Sequence, residues 1–245
     1  MDPRSAPASG HQHPLSGAVS ESVAIFSELG FSLATGPLIE SEWYNFDALN
    51  VPRDHPARDA QDTFFVAGTP ERVLRTHTSP VQVRYMEEKV RAGVAPPYRV
   101  IAPGRVFRNE ATDATHEAAF HQLEGLAIDE RGAVTLAHLK GTLEHFFSRF
   151  FGVEITTRFR PGYFPFVEPG VEVDMFYESA RGATWMEIMG AGMVHPRVLA
   201  AAGVDPERYA GFAFGVGLER LVMVQYGIDD IRLFQQGDLR FVNQF

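Results

Sequence analysis

The chain contains no cysteine, which excludes disulfides and Cys-based zinc sites and fits a reducing compartment. It also lacks any apolar run near the ~20 residues needed to cross a bilayer. Its start, Met1 to Pro14, is rich in Pro, Ser, Gly and His and has no apolar centre of a signal peptide. A cytoplasmic location, away from membranes, is the expectation. Positive charge is scarce, because 22 Lys and Arg stand against 31 Asp and Glu, for a net charge of −9. Phosphate contacts from Lys and Arg supply most of the affinity of a stand-alone nucleic-acid binder. A chain with this balance is a poor RNA binder by itself. There is no internal repeat. The 245 residues fit one sizeable domain, and a domain of that length buries about three quarters of its unfolded surface.

Residues 1–14 read as a disordered tail or linker remnant, and 15–245 as a single domain. Leu15, Val19, Val23, Phe26 and Leu29 recur at helical spacing up to Gly30. Phe31 to Glu40, with Gly36-Pro37 inside it, reads as extended. After a Pro/Asp/Arg-rich loop, Asn50 to Asp62, strands alternate with few helices, which are expected near Gln82 to Arg91 and Val134 to Phe151. Val171, Val173 and Met175 alternate with acids as a half-exposed strand, and Trp185 to Met189 makes another. Strands that follow one another through hairpins favour an α+β fold, an antiparallel sheet flanked by helices, over a doubly wound parallel one.

Two separated segments carry the chemistry. Gly104-Arg105-Val106-Phe107-Arg108-Asn109-Glu110 places Arg-x-Glu in an alternating strand pattern, and Phe120-His121-Gln122-Leu123-Glu124-Gly125 reads as the returning strand. Farther on, Phe212-Ala213-Phe214 turns through Gly215 and Gly217 into a helix with apolar Leu218, Leu221 and Val222, ended by Gly227. Two guanidiniums displayed from a sheet suit a polyphosphate, because the planar fork of Arg binds phosphate oxygens bidentately. Taken singly, Arg108 and Glu110 read equally well as a surface ion pair of little worth. A Gly-x-Gly before a helix is common packing.

In this order and on these elements, the segments resemble motifs 2 and 3 of class II aminoacyl-tRNA synthetases. Other words narrow the resemblance: Arg75-Thr76-His77-Thr78-Ser79-Pro80, Thr112-Asp113-Ala114-Thr115-His116-Glu117, Tyr163-Phe164-Pro165-Phe166-Val167-Glu168-Pro169-Gly170 and Gly190-Ala191-Gly192-Met193-Val194-His195-Pro196. From about His13 to the C-terminus the chain is similar to the catalytic domain of bacterial-type phenylalanyl-tRNA synthetase alpha subunits. The resemblance implies the class II antiparallel sheet. It also implies ATP-dependent activation of L-phenylalanine to phenylalanyl-adenylate and transfer to tRNA(Phe). The helix and Pro-containing strand that follow residue 15 resemble motif 1, the dimerisation element.

The same resemblance assigns roles. Arg108 would hold the α-phosphate of ATP, and Arg220 would lie over the adenine and reach the γ-phosphate. Phe120 would stack under the adenine, Glu110 would accept from its exocyclic amine, and His116 would reach the outer phosphates or the tRNA end. ATP brings Mg²⁺, which prefers oxygen ligands; Glu168 would contribute to a metal site shared with a partner subunit, with Glu219 a weaker candidate that could instead orient Arg220. Phe164 and Phe166 flank a proline and on a strand would face one side, meeting a phenyl ring edge to face. Ala213 and Gly215 would form the pocket floor, Gln122 and Glu124 would meet the substrate ammonium, and His77 and Ser79 would complete the polar end. A larger beta subunit, giving an (αβ)₂ hetero-tetramer, would supply the tRNA grip that this acidic chain lacks. The family's usual N-terminal coiled-coil arm has no counterpart ahead of the domain, and no anticodon-binding domain follows it, which argues against the monomeric organellar type. A regulatory paralogue, or a ligase that uses another acceptor, are the competing readings. His11, His13, His55, His138, His145 and His195 form no metal-ligand spacing.

Overall fold

A computed structural model describes residues 12–59, 62–69, 71–179 and 182–245. The expected tail therefore lies largely outside the described residues, as does His11. Its end does not: His13 caps and Pro14 begins the first helix, α1 (Pro14–Glu28). Pro14 sits in the first turn, where its missing N–H costs no helical bond, and His13 Nδ1 accepts from the Leu15 amide at 3.2 Å. The buried stripe of α1 runs through Leu15, Ala18, Ser22, Ile25 and Phe26. Val19, Val23 and Leu29 lie at its margin.

The extended segment after α1 is two short strands, β1 (Ser32–Leu33) and β2 (Ile39–Ser41). α2 (Glu42–Asn45) follows, and β3 (Arg72–Leu74) pairs with β2 as a separate ribbon. Then come α3 (Ser79–Arg91), β4 (Tyr98–Phe107), β5 (Ala119–Glu130), α4 (Leu136–Phe151) and β6 (Thr157–Pro161). The chain continues through β7 (Val167–Ser179), β8 (Gly182–Val194), α5 (Pro196–Ala201), β9 (Tyr209–Gly217), α6 (Leu218–Tyr226) and α7 (Leu239–Val242). The main sheet has seven strands in the order β1-β4-β5-β9-β8-β7-β6. All its pairings are antiparallel except that of short β1 beside β4.

One face of the sheet is covered. Phe26 of α1 stacks on Phe146 of α4 and Phe214 of β9, with ring centroids 4.9 and 5.3 Å apart. Leu139, Leu143, Leu221 and Val222 complete this core. On the other face Tyr98, Val100, Leu126 and Ile128 pack with Met86 of α3 and Val198 and Leu199 of α5. That second cover is incomplete. Alternation along the central strands brings Gly215 opposite Glu124 and Gly190, and Ala213 opposite Gly192, so on β8 and β9 the middle of this face carries only glycine and alanine and remains concave.

Three local expectations are corrected. β4 ends at Phe107, where pairing with β5 stops at Ala119, so Arg108 and Glu110 stand on the loop beyond the strand. Gly215 and Gly217 do not form a turn; they lie within β9, which runs straight into α6. Phe164 and Phe166 are not strand neighbours either. They sit on the turn that closes Phe164 onto Val167, and their rings stack on one another at 6.0 Å and 26°.

Candidate active site

The bare face holds a cavity of about 380 Å³. Its walls gather His77, Ser79, Gln122, Glu124, Phe164, Phe166, Ala213 and Gly215, residues expected together from the sequence. A second cavity of about 290 Å³ is lined by His116, Phe120, Arg220, Ile188 and Ile231. Arg108, Glu110, Gln122 and Gly215 line both. An apolar slot with a polar end thus adjoins a cleft bearing two guanidiniums, and Arg108 stands on the shared rim.

Glu124 is buried at the polar end. It accepts from the Thr78 amide at 2.9 Å, Ser79 Oγ at 2.5 Å and Gln82 Nε2 at 2.9 Å. Burial pushes its carboxyl above the usual range, while the bonds from Ser79 and Thr78 and the nearby Arg108 pull the other way. Thr78 and Ser79 open α3, so the carboxylate also meets the positive end of that helix. His77 is pushed down to about 3, chiefly by burial and then by Arg108, and its ring is neutral. His77 Nδ1 and Gln122 Oε1 are buried without a hydrogen-bond partner. These two free polar atoms in the wall suit the polar groups of a ligand.

Arg108 is held by backbone. Its Nε donates to the Thr76 carbonyl at 3.3 Å, and its guanidinium lies 5.2 Å from the Phe120 ring centroid. Glu110 is 4.0 Å away, too far for a firm ion pair. Arg220, in the first turn of α6, donates from Nη1 to the Glu187 carbonyl at 3.0 Å. That carbonyl is available because the β7–β8 register skips Ile188, and because β8 pairs with β9 only from Met189 onward. Glu219 does not orient Arg220. Neighbouring helical positions point in different directions, and Glu219, buried, takes the His121 amide and, at 2.8 Å, His121 Nδ1.

His116 projects from the loop between β4 and β5. Asp113 receives the amides of Thr115 and His116 and lies 3.1 Å from His116 Nδ1, and these bonds hold its carboxyl well below the usual range. The loop is tied to the C-terminal segment by a bond from the Ile231 amide to the Ala114 carbonyl at 2.9 Å. Glu168 stands apart, mostly exposed, 3.4 Å from His195 Nε2, and lines neither cavity. Among the described residues no three His, Asp or Glu side chains converge on a metal position. His13, His55 and His195 each precede a proline and cap a helical turn through Nδ1.

Sequence reasoning missed Arg75, Gln82, Ile188 and Ile231. Arg75 is buried behind the site, donating to the Arg105 and Gly36 carbonyls. A signal existed only for Gln82, a polar residue three positions after Ser79 on a helix whose remaining buried positions are apolar.

A family model for the class II core domain of tRNA synthetases (F) matches residues 2–245. A phenylalanine–tRNA ligase alpha subunit of Dehalococcoides mccartyi is 53% identical over 249 residues, covering 96% of this chain and 70% of that protein. One from Synechocystis is 53% identical over 236 residues, covering 96% and 67%. Among solved structures, pyrrolysyl-tRNA synthetase from Desulfitobacterium hafniense superposes with a TM-score of 0.72 at 17% identity, covering 92% of this chain and 74% of that one. That likeness speaks for the fold alone. The match across nearly the whole chain, together with relatives above half identity, means that this chain belongs to the class II aminoacyl-tRNA synthetases, in the family of phenylalanine–tRNA ligase alpha subunits.

Proposed function

We propose that the chain is the catalytic alpha subunit of a phenylalanine–tRNA ligase, acting on L-phenylalanine, ATP and tRNA(Phe). The observation that carries this reading is the junction at Arg108 of an apolar slot with a two-arginine cleft. In the first half-reaction a carboxylate oxygen of phenylalanine attacks the α-phosphorus of ATP, and the bond to pyrophosphate breaks. In the second, the terminal hydroxyl of tRNA attacks the carbonyl of the adenylate and AMP leaves. Positioning and charge stabilisation supply the rate. Arg108 takes the α-phosphate, Arg220 the γ-phosphate, Phe120 the adenine face and Glu110 its exocyclic amine, with His116 toward the outer phosphates or the tRNA end. The phenyl ring lies by Phe164 and Phe166 above Ala213 and Gly215. Its ammonium faces Gln122 and Glu124, with His77 and Ser79 beside them.

Mg²⁺ accompanies ATP as the family implies, but this chain by itself does not fit a metal site. Among the described residues no group of three His, Asp or Glu forms around Glu168, so its proposed ligand role requires carboxylates from a beta subunit. That subunit also supplies tRNA grip, in an (αβ)₂ assembly formed over the exposed Leu38, Ile39 and Trp43 on and beside β2, in the cytoplasm. Phenylalanine-dependent ATP–pyrophosphate exchange, measured with and without a beta subunit, tests the reading. Exchange that requires phenylalanine is the expected result. Its absence in the assembled enzyme favours a regulatory paralogue, and exchange without charging of tRNA favours another acceptor.

A further inference from the structure

We infer that Gly190 is a specificity-determining residue, whose missing side chain seats the Phe164 ring and so sets the width of the aromatic slot. The inference rests on the reading of the first cavity as the phenylalanine site. Gly190 lies on β8, directly opposite Gly215 of β9. A Cβ built on it would come within 2.7 Å of Phe164 Cζ and 3.1 Å of both Cε atoms. Ordinary contact begins at 3.4 Å, so the ring would have to retreat by about 0.7 Å. Gly162 and Gly170 flank the same ring, with a Cβ at 3.3 and 3.4 Å from it respectively.

Two further observations bear on Gly190. Its φ is not left-handed, so the backbone accepts alanine, and the position calls for empty space rather than conformational freedom. What a methyl group there would strike is the far end of one cavity side chain. At Gly192 it would strike the Pro169 carbonyl and Val167, and at Gly211 the Ala127 carbonyl. Those substitutions strain the fold. A methyl at Gly190 is instead transmitted to Phe164, which lines the cavity and stacks on Phe166.

The test compares wild type, Gly190→Ala, Phe164→Leu and the double variant in the assembled enzyme by ATP–pyrophosphate exchange, with melting temperatures recorded for each. Gly190→Ala is expected to raise KM for phenylalanine about tenfold, the effect of roughly one methylene in an apolar pocket, and to leave KM for ATP within about twofold. In the Phe164→Leu background the same substitution should change KM for phenylalanine by less than about twofold, because the ring it acts through is gone. Equal effects in both backgrounds, a parallel rise in KM for ATP, or no effect at all overturn the inference. So does a Gly190→Ala protein that does not fold, whether or not the double variant does, since the position would then serve the fold. Failure of wild type to exchange with phenylalanine sinks the proposed function itself, a result read in a separate arm.

Discussion

Arg108 and Arg220 reach the second cavity from different elements, and each rests on a backbone carbonyl rather than on a carboxylate. Their charges are therefore free for a polyanion, which a firm ion pair with Glu110 would have prevented. Arg108→Ala and Arg220→Ala are each expected to lower adenylate formation at least about tenfold, consistent with a loss of ~2 to 4 kcal/mol of transition-state stabilisation. Melting temperatures should stay near wild type, since both side chains are partly exposed. Exchange kinetics and a thermal melt on the same preparations check both halves. His77 carries a pH prediction. Its folded-state pKa, about 3, is depressed below the ordinary 6.5, so its contribution to stability is complete above pH 6.5 and is lost as pH falls from 6.5 toward 3. The stability advantage of wild type over His77→Gln should therefore shrink across that window, measured by denaturant unfolding at a series of pH values. A pH-independent difference would place the His77 ring in water.

At the scale of elements, the site depends on a tie between β5 and α6. Glu219 accepts from His121, and this bond fixes the strand that carries Phe120, Gln122 and Glu124 against the helix that carries Arg220. Glu219→Ala leaves the His121 amide without its acceptor, at a cost of about 1 to 3 kcal/mol. That corresponds to a drop of roughly 2 to 12 °C in melting temperature for a domain of this size. KM for ATP should rise more than KM for phenylalanine, because the tie borders the second cavity; calorimetry and exchange assays report the two. Elements were largely legible in the sequence. Helices near Gln82 to Arg91 and Val134 to Phe151 appear as Ser79–Arg91 and Leu136–Phe151, because apolar residues at helical spacing mark a face that must be buried. The turn at Phe164 to Phe166 was not legible. Pro165 between two aromatics is compatible with either an extended strand or a turn, and contact with β8 decides between them.

For the molecule as a whole, charge and apolar surface point outward to a partner. Leu33, Leu38, Ile39 and Trp43 are exposed at 53, 45, 45 and 39%, on or beside β1 and the β2–β3 ribbon, and Phe65 bridges to Val73 of that ribbon. Neighbouring apolar side chains on a soluble surface mark an interaction site. The isolated chain is expected to self-associate and to charge tRNA weakly or not at all. Co-expression with a beta subunit should yield a monodisperse hetero-tetramer by light scattering, and Leu38→Asp should reduce its yield. Efficient charging of tRNA by the purified chain alone would contradict this picture.

By itself the sequence determined the class of fold, the two arginine-bearing segments and the residues grouped around them. Alternation, helical spacing and short chemical words are local properties, and each is imposed by backbone geometry over a few residues. It also placed His77, Gln122, Glu124, Ala213 and Gly215 in one pocket, although no local rule brings residues so far apart in the chain together; resemblance to a family did that. Only the tertiary structure decided that Glu219 serves His121 rather than Arg220, that Arg220 rests on a carbonyl freed where β8 skips a residue, that Ile231 walls the second cavity, and that Gly190 is the seat of Phe164. Each of these depends on which side chain meets which across the sheet. Register, bulges and the packing of α6 set those meetings, and they are fixed only when the whole chain has folded.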